Sequence, residues 1–162
     1  MTVIDIGPGA EERASQGAPG YTQISKTNPA NETGVITTIE VWVSTLIAGA
    51  KVATFFNVSG NNLTARDSAV IGNLSPGKQT ISGLNLHVQA GDYLGFYNAS
   101  GTIKIGAPVG SGRWYKMGDY TTCVNTTFTS STTSDYAIGG SGNTPGGFLM
   151  KGVGIGIGMG IS

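Results

Sequence analysis

Charge is the first thing this chain lacks. Lysine plus arginine and aspartate plus glutamate number 9 each in 162 residues, so the formal net charge is zero and charged side chains make up only 11%, under half of the usual quarter or so. A nucleic-acid binder needs a basic surplus to release counterions from phosphates, and a peripheral membrane protein needs a basic or amphipathic face. Neither surplus exists, so no nucleic-acid partner and no membrane insertion are expected. Cys123 is the single cysteine, which excludes an intramolecular disulfide and any Cys-rich metal site. His87 is the single histidine. Flanked by Leu86 and Val88 and far from any nucleophile motif, it reads as a surface or sheet-face residue rather than a catalytic base. His87 and Cys123 together fall short of a zinc ligand set, and no cofactor is expected. Calcium held by Asp92, Asp119 or Asp135 with loop carbonyls stays open, without EF-hand spacing. No run approaches the ~20 apolar residues of a transmembrane helix, no basic region leads into an apolar stretch as in a secretory signal, and no window repeats apolar residues at helical spacing.

What the chain has instead is glycine, 27 residues of it, with abundant Ser, Thr and Asn, and β-branched and aromatic residues at regular intervals. Short strands joined by tight turns are the reading. Val35 to Val43 (VITTIEVWV) alternates, with Val35, Thr37, Ile39, Val41 and Val43 on one face and Ile36, Thr38, Glu40 and Trp42 on the other. Thr45 to Ala50 is ambiguous, Lys51 to Val58 is a second strand, and Ser59-Gly60-Asn61-Asn62 closes a hairpin. Further strands are expected at Val3 to Ile6, Leu63 to Asp67, Ala69 to Leu74, Lys78 to Ser82, Leu84 to Val88, Asp92 to Asn98, Thr102 to Ile105, Arg113 to Met117 and Asp135 to Ile138. The Asp92 and Thr102 strands are expected to pair across Ala99-Ser100-Gly101, and a weak helical turn is placed at Glu11 to Ala14. The sum is an all-β chain, a single antiparallel β-sandwich domain of jelly-roll type over residues 1–162, with a loop-rich segment at 1–34.

The end of the chain, residues 147–162, has the most specific pattern. Glycine takes every even position from Gly152, as in Gly154, Gly156 and Gly158, and Val153, Ile155, Ile157, Met159 and Ile161 take the odd ones. Glycine is costly inside a strand, so the alternation needs a reason. Either this is the last core strand, its bare face covered by aromatics such as Trp42, Tyr93 or Trp114, or the bare face lies against a second chain and serves assembly.

One constellation suits ligand binding: Arg113, Trp114, Tyr115 and Lys116, followed by Asp119 and Tyr120. Aromatic faces stack on sugar rings, and the charged neighbours supply a hydrogen-bonding rim. Burial of Trp114 beneath an exposed Tyr115 is the competing reading. Glu40 beside Trp42 is the best candidate carboxylate for glycoside hydrolysis, yet strand alternation already explains it as an outward-facing residue. Six Asn-X-Ser/Thr sequons, at Asn31, Asn57, Asn62, Asn73, Asn98 and Asn125, follow from a composition rich in those residues.

The stretches VIDIG, KTNPANETGVITTIEVWV, KVATFF, ARDSAVIGNLSPGKQT and VQAGDYLGFYNASGTI resemble a group of as yet uncharacterised β-rich, virion-associated proteins of bacteriophages and environmental viral genomes, over roughly Val3 to Tyr120. AGDYLGFY also looks like the late strand of jelly rolls in carbohydrate-binding modules and trimeric C1q-like heads. The resemblance implies a non-enzymatic structural or attachment subunit of a virus particle or related extracellular assembly, made in the cytoplasm without a signal peptide. It implies a homo-oligomer or polymer, with other virion proteins or cell-surface glycans as partners. The alternative is a glycan-binding, lectin-like module.

Overall fold

A computed structural model describes residues 2–106 and 110–145. They form fourteen strands and, among the described residues, no helix: β1 (Val3–Ile6), β2 (Ser15–Gln16), β3 (Tyr21–Ser25), β4 (Gly34–Ser59), β5 (Asn62–Leu74), β6 (Gly77–Ile81), β7 (Leu86–Val88), β8 (Tyr93–Tyr97), β9 (Ser100–Gly106), β10 (Arg113–Met117), β11 (Thr126–Thr127), β12 (Thr129–Ser131), β13 (Asp135–Tyr136) and β14 (Ile138–Asn143). All pairings are antiparallel. The all-β, antiparallel class read from the sequence is what the structure has. A sandwich is compatible with it, but the strands make one hydrogen-bonded network, because β4 belongs to both halves.

β4 is 26 residues long. Its first part lies beside β14 on one edge and β7 and β6 on the other; its last part lies between β8 and β5. The ambiguous Thr45 to Ala50 stretch is the corner between them, where β9 pairs and the register shifts repeatedly. The strict alternation expected over Val35 to Val43 is broken. Ser141 pairs with Thr38 but Gly142 with Ile36, so Thr37 is an extra residue in the strand. That bulge turns Ile36 to the side of Ile39, Val41 and Val43, and all four are buried. The hairpin forms as expected: Ser59 pairs with Asn62 and Gly60 takes φ +53, a conformation that suits a two-residue turn.

Two other expectations are corrected. β8 and β9 do not pair with each other; β8 lies between β4 and β3, and β9 joins β4, β2 and β13. The buried Asn98 donates to the Gly101 carbonyl at 2.6 Å, and Gly101, at φ +78, sits where a Cβ would overlap the Leu46 carbonyl, so the chain is carried over to the corner of β4. Glu11 to Ala14 forms no helical turn, and Ser15 pairs with Ile105 instead.

Burial divides the interior into two clusters. The larger gathers Ile4, Ile6, Ile36, Ile39, Val41 and Val43 with Leu94, Phe96, Ile103 and Tyr136. The smaller holds Ile24, Ala53, Phe55, Leu63, Trp114 and Phe128. β8 feeds both, because alternate side chains leave opposite faces of a strand: Leu94 and Phe96 enter the first, and Tyr93 packs against the second. At an outer edge, the Asn31 side chain does the work of a strand, accepting from the Asp5 N–H at 2.7 Å and donating to the Val3 carbonyl at 3.1 Å. An edge capped in this way offers no template for another chain.

Candidate functional site

β10 forms where the sequence places it, and its alternation decides what each residue of the Arg113 to Tyr115 run can do. It pairs with β3 on one side, Trp114 opposite Ile24 and Tyr115 opposite Gln23, and with β12 on the other. Paired residues share a face. Trp114 therefore joins Ile24 in the smaller core, 5% exposed. Its ring meets the edge of Tyr93 at 5.0 Å, its Nε1–H donates to Asn61 Oδ1 at 3.0 Å, and the Lys26 ammonium lies 4.6 Å from the ring centre. The tryptophan is thus a core side chain and offers no stacking platform, as the competing reading has it.

Arg113 and Tyr115 project from the opposite face. With Tyr21 and Gln23 of β3, Ile105 of β9, Tyr136 of β13 and the Gly17–Ala18 turn, they line a cleft of about 240 Å³. The guanidinium lies over the rings of Tyr115 and Tyr136, 4.9 and 5.3 Å from their centres, and its Nη1 donates to the Tyr136 hydroxyl at 2.9 Å. Tyr21 meets Tyr115 edge to face at 6.1 Å. Burial raises the Tyr136 phenol well above its ordinary range, and the nearby Arg113 charge offsets this only in part. Gln23, 3% exposed, donates through Nε2 to the Ala18 carbonyl at 3.1 Å. Its Oε1 and the Nε of Arg113 are buried without a hydrogen-bond partner.

Asp119 and Tyr120 are not brought to this cleft. Asp119 accepts from Lys51 at 2.5 Å and from the Thr121 hydroxyl at 2.6 Å. Burial pushes its carboxyl up, but the Lys51 and Thr121 donors together outweigh that and hold it below its ordinary 3.8, while Asp119 raises Lys51 in return. Tyr120 packs edge to face with Phe128 at 5.9 Å and covers the smaller core. The six residues singled out in the sequence thus divide: Arg113 and Tyr115 at the cleft, Trp114 beneath them, Lys116 over the Tyr120 ring at 5.3 Å from its centre, and Asp119 and Tyr120 in a loop that seals the other side. Tyr21, Gln23 and Tyr136, which complete the cleft, were not legible as site residues. The YTQIS run of β3 shows no apolar alternation, and only pairing with β10 brings Gln23 beside Arg113.

The remaining polar candidates are engaged elsewhere. His87 Nδ1 lies 2.9 Å from Asp67 Oδ2. Two His87 hydrogen bonds and one from the Ser68 N–H hold that carboxyl below its ordinary value against the opposing, larger single effect of burial. Glu40 lies 3.7 Å from Lys78 across the β4–β6 pair. Asp92 accepts from Arg66 Nε at 2.5 Å and Nη2 at 3.0 Å and from the Gln89 N–H. Among the described residues no three His, Cys, Asp or Glu side chains gather as metal ligands. The alternating segment with Val153, Gly154, Ile155, Gly156, Ile157, Gly158 and Met159 lies outside the described residues.

No protein-family model matches the chain, and no curated protein or solved structure matches it.

Proposed function

We propose that the chain works by binding rather than by turnover, as a non-enzymatic attachment subunit of a virus particle or related extracellular assembly, with its ligand held in the cleft between β3–β10 and β9–β13. The observation that carries this reading is the Arg113 guanidinium, set against the rings of Tyr115 and Tyr136 in that cleft and without an ion pair among the described residues. Cation–π contact offsets only part of the cost of desolvating a guanidinium; an external ligand supplies a further partner. The groups around it suit holding rather than proton exchange, since the Gln23 amide does not titrate and burial keeps the Tyr136 phenol protonated well above neutral pH. The lectin-like alternative thereby becomes the way the subunit attaches, with the platform moved from Trp114 to Tyr21 and Tyr115.

A glycan array tests it. Retention of the native protein on a subset of glycans, lost in Arg113→Ala with the far-UV circular-dichroism spectrum unchanged, supports the reading; retention that survives the substitution overturns this cleft as the attachment site. Self-association belongs to the same proposal and is supported by the scarcity of repelling charge. Sedimentation of the native chain should show a symmetric oligomer or a polymer, and a monomer at micromolar concentration would refute that part.

A further inference from the structure

Only part of the cleft wall can touch a ligand. Ala18, Tyr21, Ile105, Arg113 and Tyr115 keep accessible surface, whereas Gly17, Gln23 and Tyr136 are buried. Of the Arg113 nitrogens, Nε is sealed inside and Nη1 donates to the Tyr136 hydroxyl. Nη2 is left, with two N–H donors and no hydrogen bond among the described residues. A ligand must therefore bring Nη2 an acceptor, and a carboxylate is the wrong one. Asp135 lies buried beside Tyr136, and its hydrogen bonds from the Thr27 hydroxyl and the Tyr136 backbone N–H leave its negative charge in place. Arg113 and Asp135 act on the Tyr136 phenol with opposite sign. The guanidinium thus has a counter-charge nearby, and an anionic ligand would be repelled by Asp135 as well as drawn to Arg113.

The acceptor that fits is neutral. An amide carbonyl oxygen carries two lone pairs and no proton of its own, and hydrogen bonds from a charged donor are the strong ones. The rest of the accessible wall is apolar or aromatic: Ile105, the Ala18 methyl group, and the rings of Tyr21 and Tyr115, whose hydroxyls can both donate and accept. At about 240 Å³ the space lies below the roughly 300–1,000 Å³ that holds drug-sized molecules, so it suits a single ring. A sugar ring that bears an acetamido group combines these features, a carbonyl for the guanidinium, a methyl group for the apolar wall and hydroxyls for the phenols. We infer that the cleft takes one N-acetylhexosamine unit of a glycan, its acetamido oxygen accepting from Arg113 Nη2 and its methyl group lying against Ile105. The inference rests on the binding reading above and names its ligand class.

The experiment is an NMR titration of the ¹⁵N-labelled native chain with N-acetylglucosamine, N-acetylgalactosamine, their parent hexoses glucose and galactose, and glucuronic acid. At least one of the two acetamido sugars should shift the Ile105 and Tyr115 amides saturably, with Kd at least tenfold below those of its parent hexose and of glucuronic acid. Arg113→Gln should weaken that sugar at least tenfold, and Ile105→Thr should shrink its advantage over the parent hexose at least threefold, each with a dispersed amide spectrum. Should either variant lose that dispersion, the Kd ratios on the native chain decide alone. A hexose or glucuronic acid that binds at the same amides as tightly as the acetamido sugars would overturn the acetamido class and leave the binding reading standing. An advantage unchanged in folded Ile105→Thr would overturn the placement of the methyl group. Saturable shifts confined to other residues, or none with either acetamido sugar at tens of millimolar, would overturn the inference outright. Array retention that still depends on Arg113 would then show that the cleft binds something else.

Discussion

Trp114 and Tyr115 are neighbours on one strand and meet opposite conditions. On the Trp114 side each polar group has its partner and the space is full: Nε1 on Asn61, the ring against Tyr93, Phe128 and Tyr120 closing over Phe55. The Tyr115 side holds a cleft with an unpaired amide oxygen and a guanidinium edge. The difference separates stability from function on one strand. A satisfied, filled face contributes to folding and has nothing left to offer, whereas an unsatisfied, hollow one lowers stability and can bind.

Substitution of the two neighbours should break that comparison most directly. Trp114→Ala should cost about 3–5 kcal/mol, as large aromatic deletions in cores do, and it also strands the Asn61 oxygen. Tyr115→Ala should cost about 1 kcal/mol or less. Urea denaturation reads both, and equal losses would mean that the two faces do not differ as described. The glycines sharpen the same point. A Cβ at Gly95 would overlap the Phe55 ring and press on Ile24, so Gly95→Ala should lower stability by about 1–3 kcal/mol through overpacking. Gly17→Ala, with contacts of 3.3 Å and more, should change the urea midpoint by much less.

The comparison also shows what could be read without coordinates. Alternation, glycine-containing turns and the Arg113 to Met117 strand are local signals, and β1, β10 and the Gly60 hairpin formed where those signals put them. The bulge at Thr37, the crossing of β9 to the corner of β4, and strand β3 were hidden. Each depends on pairing between residues far apart in the chain, which local pattern does not encode. For the site, composition pointed to Arg113 and Tyr115. Their partners Gln23 and Tyr136 stand 90 residues before and 23 residues after Arg113, and sheet register alone brings them together.

Two smaller effects follow. Tyr136→Phe removes the acceptor of the Arg113 Nη1 bond and should cost about 1 kcal/mol, with Arg113 freed to move in the cleft and its side-chain NMR signals broadened. The acid dependence belongs to the sealed side. Asp119 titrates below its ordinary 3.8 in the folded chain, so its pairing with Lys51 and Thr121 contributes fully above that value and is lost as pH falls through the lower, folded one. The contribution is small because both partners are about one-third exposed. Thermal melts below pH 4 should show a shallower decline for Asp119→Asn than for the native chain; parallel declines would place the acid sensitivity elsewhere.

The continuity of β4 has a mechanical consequence. Its backbone is bonded to six other strands, three along each edge, so the molecule has no seam along which one layer could peel from the other. The two tryptophans report from either end of this arrangement, Trp42 opposite Lys78 on β6 and Trp114 opposite Ile24 on β3. In Trp42→Phe, with excitation selective for tryptophan so that Trp114 alone reports, the optical midpoint should coincide with that of far-UV circular dichroism, as expected for a chain that lets go everywhere at once.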